Sequence, residues 1–515
     1  MKFVNVTIPM IVYGLCFVTK LECTRILVII PTPFYSHHIP YTKLWLELNR
    51  RGHEIVLATT NPIPILNVTN ITQIHIKDSY GYIKDNDYVR QRFEGVPWLK
   101  FIHENACKFS EIFVEAVFTN QQMKELYDPC SNATFDVVIV ELFTVSSLLA
   151  FAHRFNAPLI GLSSLSLSSI EEHALGGLIL PSHESTWENG RNTGSNLSFW
   201  KRIQNFYTLW RFIYVIYRDL FPYQQMIAEK YFGANIPPLI NIMKNISVIF
   251  VNHDQVLTPA KLKLPNLLTF TSFHISNKTV PLPKDMKRFV EGAKNGFIYF
   301  NLGTNALSSS MPNETIEMFL DVFAKLPYTI LWKIEKELPG KADNIFTATW
   351  FPQQTILAQP NIKLFMYQGG VQSSQEAVHF AVPLLGFPVL GDQDYQVQRM
   401  EALGVGKYLE LVTLTKNELE SAIQDIITNN RYKERMLEIR SFVQDQPYDL
   451  VKHLAWWTEF VIRHKGAKHL HTDLVWVPWY QRFDMDIVIF LTIVTCIAVS
   501  NALGLIIKFL AYLRI

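Results

Sequence analysis

Short apolar runs recur along the first half of the chain, some of them followed by apolar residues at helical spacing. They are "RILVII" from Arg25, "EIVLATT" from Glu54, "FDVVIVE" from Phe135, "APLIGLSS" from Ala157 and "ISVIFVNHD" from Ile246. Short, β-branched runs without polar alternation read as strands buried on both faces of a parallel sheet. Between the first two, Leu44, Trp45, Leu46 and Leu48 fall in a helix that Gly52 ends, which makes a βαβ unit. A second series opens at Gly296 with "GFIYFNLGT" and continues through "YTILWKIE", "IKLFMYQGG" and "VPLLGFPV".

Two stretches break this rhythm. Residues 185–235 are aromatic-rich with helical spacing and predict an amphipathic helical pair, packed on the core or walling a cleft or membrane surface. Residues 256–285 are Pro-rich and irregular and read as a linker. The expected fold class is therefore α/β, with two Rossmann-like doubly wound domains facing across a cleft, plus a C-terminal transmembrane helix. The expected boundaries are a signal peptide at 1–23, a first domain at 24–255, the linker at 256–285 and a second domain at 286–445. Helices returning toward the first domain follow at 446–480, then a membrane span at 487–507 and a short tail at 508–515.

The ends carry the membrane argument. Lys2 precedes an apolar run from Phe3 to Val18, the pattern of a cleaved secretory signal. Ile487–Ile507 holds no charged residue, and Trp476, Trp479 and Tyr480 stand before it like an interfacial belt. That arrangement places the domains in a lumen. Glycosylation triplets at Asn67, Asn70, Asn132, Asn196, Asn245, Asn277 and Asn313 agree with it. Of the 5 cysteines, Cys16, Cys23 and Cys496 fall in the two apolar ends, which leaves Cys107 and Cys130 as a disulfide candidate.

Composition adds exclusions. A net charge of +2 gives no field for nucleic acid. No Cys/His spacing resembles a zinc site. No Gly-x-Gly-x-x-Gly opens either series, which disfavours a dehydrogenase.

The chemistry concentrates in "WFPQQTILAQPNIKLFMYQGGVQSSQEAVHFAVPLLGFPVLGDQ", from Trp350 to Gln393. Gly369 and Gly370 lie at a strand end, and Ser373 and Ser374 open the next helix, whose free amides suit a diphosphate. The spacing from Trp350 through Gln353, Gly370, Ser373 and Glu376 to Asp392-Gln393 resembles the nucleotide-sugar signature of UDP-glycosyltransferases of the GT-B type, in an arthropod-like form. Gln368 stands where that family most often has histidine. The resemblance extends over nearly the whole chain.

It implies a role for each position. Trp350 would stack on uracil, Gln353 would meet the base or ribose, and Glu376 would accept from the ribose hydroxyls. Gln368, Gly370, Ser373, Thr304 and Asn305 would face the diphosphate, and Asp392 and Gln393 the donor sugar. His37, in "PTPFYSHHIP", would be the general base that deprotonates the acceptor hydroxyl, oriented by Glu141. His38 would be a bystander. Asp-x-Asp pairs at Asp85/Asp87, Asp392/Asp394 and Asp484/Asp486 are not expected to hold a metal, and no cofactor is expected.

Like charge from Asp392 and Asp394 beside the sugar favours UDP-glucose over UDP-glucuronate. The expected activity is inverting transfer of a hexose to a small lipophilic phenol or alcohol by an enzyme of the endoplasmic reticulum membrane. Traffic to the plasma membrane and a homo-oligomer are left open. The alternative is a non-catalytic lumenal protein that binds lipophiles or nucleotide sugar on the same fold.

Overall fold

The computed structural model describes residues 23–513, apart from 65–67, 78–85, 97, 183–186, 190–195 and 277–279, and apart from the side chains of 98–106 and 109. The segment read as a signal peptide therefore lies outside the described residues except for Cys23.

Every apolar run named above folds as a parallel strand. In the first half these are β1 (Arg25–Ile30), β2 (Glu54–Thr59), β3 (Ile71–His75), β4 (Val137–Glu141), β5 (Leu159–Ser163), β6 (Val248–Asn252) and β7 (Leu267–Phe270). They form a 7-stranded sheet in the order β3-β2-β1-β4-β5-β6-β7. The second half contributes β8 (Phe297–Asn301), β9 (Thr329–Lys333), β10 (Ile345–Ala348), β11 (Ile362–Tyr367), β12 (Leu384–Gly386) and β13 (Gly406–Tyr408). These form a 6-stranded sheet in the order β10-β9-β8-β11-β12-β13. The central strands are buried throughout, as sheets covered by helices on both faces require. Both sheets reverse direction once, between β1 and β4 and between β8 and β11. Ligands of doubly wound folds bind at such switch points, outside the carboxyl ends of the strands.

The segment read as linker, 256–285, differs from expectation. Its residues Leu267–Phe270 form β7, which pairs in parallel with β6. Only Phe270 of the four is buried, so this edge strand lacks the apolar run that marks its neighbours. The aromatic region also differs: helix Phe199–Val215, a wide turn at Ile216–Leu220 and helix Phe221–Phe232 follow one another without a loop. Pro222 has no N–H to continue the ordinary ladder there, which accommodates the wider turn.

Helix Leu450–His464 packs back on the first sheet, with Leu454, Ala455, Val461 and Ile462 in one apolar cluster with β1, β2 and β4. Its Glu459 joins Arg51 at 3.0 Å and His53 at 3.2 Å. Helix Met485–Tyr512 follows; by length and composition it is apolar enough to cross a membrane, and none of its residues is buried. Trp479 and Phe483, at its base, lie 5.8 and 5.4 Å from Trp210 of the first half.

The disulfide expectation is corrected. Cys107 and Cys130 are both free. Cys107 packs with the Leu209–Phe212–Ile216 cluster from the middle of the helix Trp98–Thr119, whereas Cys130 lies in an exposed turn beyond the next helix. With a rise of about 1.5 Å per residue along the first helix, chain connectivity alone does not bring the thiols together. Asn67 and Asn277 lie outside the described residues; Asn70, Asn132, Asn196, Asn245 and Asn313 are exposed.

Candidate active site

A cavity of about 740 Å³ opens between the carboxyl ends of the two sheets. That is the size of a site for a substantial organic ligand. His37, Glu141, Trp350, Gln353, Gln368, Gly370, Ser373, Glu376, Thr304, Asn305, Asp392 and Gln393 all line it. The predicted site residues, drawn from segments far apart in sequence, therefore converge.

On the first-sheet side, the chain leaves β1 and forms the single turn Tyr35–His38, which carries His37 to the β1/β4 switch point. Glu141 is the last residue of β4, and its Oε1 lies 2.5 Å from His37 Nδ1. Thr32 donates to the other carboxylate oxygen at 2.6 Å and so fixes its rotation. With Nδ1–H donating to Glu141, Nε2 of His37 keeps its lone pair and can take a proton. His38 does different work. It is buried among Thr59, Thr60 and the Thr32 carbonyl, and burial lowers its pKa to about 4. Two adjacent histidines thus divide into one facing the cavity and one tying β1 to β2.

On the second-sheet side, Gln353 is the centre of a network. Its Nε2 donates to Ser373 Oγ at 2.9 Å and Glu376 Oε2 at 2.6 Å, and its Oε1 accepts from Asn301 at 2.7 Å. Gln354 donates to the other Glu376 oxygen at 2.9 Å. Burial nevertheless raises the Glu376 carboxyl to about 7. His274, whose pKa burial lowers to about 3, stands 3.4 Å from Glu376. The loop that delivers it has Ser272 at φ +59, a left-handed conformation costly for any residue but glycine. Trp350 is 58% exposed, and the Tyr35 ring lies edge-on to it, 6.3 Å away at 77°. The geometry leaves a flat ring available for stacking.

The turns at Gly303 and Gly369 explain their glycines. Gly369 has φ +97, and a Cβ there would come within 2.6 Å of Val397. Gly303 has φ +90, and a Cβ would meet Gln368 Nε2 at 2.3 Å. Gln368 thus packs its amide against the opposite loop, while its Oε1 is buried and without a hydrogen-bond partner among the described residues. Gly370 caps the helix Val371–His379, whose first amides open toward the cavity.

Two sugar-site expectations change. Gln393 uses its Oε1 to accept from the Val389 and Leu390 amides at 2.9 and 3.0 Å, so only its NH₂ end remains for a ligand. Asp394 does not line the cavity. Arg92 holds both its oxygens, at 2.7 and 2.9 Å, with Tyr408 donating at 2.8 Å. Helical spacing turned it away from Asp392, so its charge is not one that a donor sugar meets. Asp392 itself keeps one oxygen buried and unpartnered among the described residues, and burial raises its carboxyl to about 6.

Sequence reasoning missed Thr32, Asn301, Gln354, Tyr35 and Lys333. Lys333 lines the cavity in an ion pair with Glu335. The partners of the other four are distant in sequence, and no local pattern marks them.

Comparison with known proteins places this geometry. A family model described as UDP-glucoronosyl and UDP-glucosyl transferase matches residues 25–513. The chain is 29% identical to UDP-glucosyltransferase 2 of Dactylopius coccus, covering 92% of this chain and 90% of that one. It is 27% identical to human UDP-glucuronosyltransferase 2B15, covering 94% and 92%. Among solved structures, UDP-glucose: anthocyanidin 3-O-glucosyltransferase in complex with UDP aligns with a TM-score of 0.55 at 15% identity, over 86% of this chain and 99% of that chain. A glycosyltransferase of kitacinnamycin aligns with a TM-score of 0.58 at 14% identity, over 86% and 100%. The fold is that of GT-B glycosyltransferases, and the chain belongs to the UDP-glucuronosyl and UDP-glucosyl transferase family, whose members transfer a sugar from a UDP-sugar donor.

Proposed function

We propose that the protein is an inverting transferase that moves glucose from UDP-glucose to a hydroxyl of a small lipophilic phenol or alcohol. The observation that carries the reading is the His37–Glu141 pair, buried at one switch point and lining the same cavity as Asp392. His37 Nε2 takes the acceptor proton as the oxygen attacks the anomeric carbon, and Glu141 stabilises the imidazolium that forms. UDP leaves from the opposite face, so a single displacement inverts the anomeric centre. The helix amides after Gly370, with Ser373, Thr304 and Asn305, take the charge that develops on the diphosphate.

The preference for glucose now rests on a different argument from the one the sequence suggested. Lys333 is the sole lysine or arginine among the described residues that line the cavity, and Glu335 pairs with it. A glucuronate carboxylate would therefore meet no free cation. Metal independence is supported by Asp394, whose oxygens are committed to Arg92 and Tyr408 instead of joining Asp392 as a metal-binding pair. The apolar helix Met485–Tyr512 and the exposed triplet asparagines support a type I anchor in the endoplasmic reticulum membrane with lumenal domains.

The test incubates membranes carrying the full chain with UDP-glucose or UDP-glucuronate, a mixed phenol and alcohol panel, and EDTA. Mass spectrometry should find glucosides that a His37→Ala protein does not make. Saturable UDP binding without any glycoside from either donor would favour the non-catalytic binding protein.

A further inference from the structure

The acceptor side of the cavity carries a second polar cluster that the transfer reaction does not use. After β5 the chain runs through Ser168 into the short helix Ser169–Ala174. Ser168 stands at the N-cap position, where its hydroxyl would ordinarily accept from an amide of the first turn. It caps nothing, and Glu188 takes the Ser169 amide instead, at 2.7 Å. Ser168 Oγ is left buried and unpartnered among the described residues, in a side chain only 9% exposed. Glu171 Oε2, in the same first turn, is buried without a partner too, and so is Trp187 Nε1. All three residues line the cavity that holds His37. Buried polar atoms are nearly always hydrogen-bonded, so three orphans on one cavity wall point to a ligand that satisfies them.

Resting on the transferase reading, we propose that Ser168, Glu171 and Trp187 form a subsite for a second hydroxyl group of the acceptor. The substrates would then be lipophilic molecules with a hydroxyl at each end, one meeting His37 and the other meeting this cluster. The chemistry selects a hydroxyl. Trp187 is a pure donor, Ser168 both donates and accepts, and Glu171 can do both when protonated. Burial first, then the neighbouring Glu188 and Glu172, push the Glu171 carboxyl up to about 8, which keeps it protonated at neutral pH. A ligand carboxylate would meet those acidic neighbours, and an ammonium would meet a neutral group. A hydroxyl offers one proton and two lone pairs, which matches the mixed set.

The fold also sets the spacing. His37 follows β1 and Ser168 follows β5, with β4 between them in the sheet. Two strand spacings amount to roughly 10 Å. Phe212, Ile216 and Leu220 of the aromatic helices line the same cavity and give an apolar wall for the body of such a molecule.

Binding of 4,4′-dihydroxybiphenyl and 4-hydroxybiphenyl to the detergent-solubilised full chain, with UDP present, tests this by calorimetry. The diol should bind about tenfold tighter or more, well beyond the twofold statistical advantage of a symmetric molecule. Glu171→Leu should abolish the difference, and Glu171→Gln, which keeps a donor and an acceptor, should retain most of it. UDP affinity reports whether each variant is folded. Equal binding of the two biphenyls to the unaltered protein, or a preference that survives Glu171→Leu, overturns the subsite. Product formation is followed separately, so absence of transfer counts against the transferase reading while the binding difference still judges the subsite.

Discussion

Around Glu376, on the second-sheet side of the cleft, Gln353, Gln354, Asn301 and Ser373 interlock through amide and hydroxyl hydrogen bonds. Across the cleft, a single histidine–carboxylate pair is braced by one threonine and surrounded by Phe34 and Phe143. The first arrangement fixes many weak, directional groups in advance, which suits a ligand whose nucleotide never changes. The second, in the transferase reading, would concentrate proton-handling in two residues, with Phe34 and Phe143 as apolar walls beside them. Mutations should therefore separate cleanly: those around Glu376 should change donor affinity, and those at the His37–Glu141 pair should change rate.

The largest break is expected from His37→Ala, which should lower kcat by about 10²–10⁴ while UDP affinity stays within twofold. Comparable losses in both would mean that the pair shapes the donor site and that the division is wrong. Glu141→Gln comes next. It keeps the volume but removes the charge that favours Nδ1–H and the imidazolium, so kcat should fall by about 10² or more, with little change in KM for the donor. On the other side, Trp350→Ala should weaken UDP binding by about 1–3 kcal/mol, measured by calorimetry, and alter kcat at saturating donor far less.

The smallest effect is a pH dependence. Ribose hydroxyls donating to Glu376 favour its ionised form, whereas burial holds the free carboxyl at about 7. Below about pH 7, UDP binding must therefore expel a proton. Affinity should fall as pH drops, by at most about tenfold per unit, and level off above pH 7. Glu376→Gln should flatten the profile between pH 6 and 8. A slope unchanged in that variant would move the titration to another group.

The two halves were also unequally legible. Strands buried on both faces announce themselves as apolar runs, which is why β1, β4, β6, β8 and β11 were readable. The edge strand β7 is mostly half-exposed, and its flanking prolines made it look like linker. In the site, the residues picked out by intervals along one segment, Trp350, Gln353, Ser373 and Glu376, all line the cavity. The same linear logic failed for Asp394. It sits two residues from Asp392, but a helix carries it toward Arg92, far away in sequence. Thr32 was unreadable for a related reason, since its value lies in contact with a residue more than a hundred positions away. Sequence spacing locates groups that one element presents together; it is silent on contacts made between elements.

The return of helix Leu450–His464 to the first sheet has a mechanical consequence. The second domain is inserted between two passes of the chain over the first, and the apolar helix Met485–Tyr512 emerges beside Trp210 of that first domain. Seated in a bilayer as proposed, the first domain would sit next to the membrane and carry the second, which Arg92 ties to it through Asp394 and Glu410. A lipophilic acceptor would then reach His37 by searching in the plane of the membrane, at a constant height above it. The water-soluble nucleotide would reach the second domain from the aqueous side. Each substrate would arrive through the phase in which it dissolves.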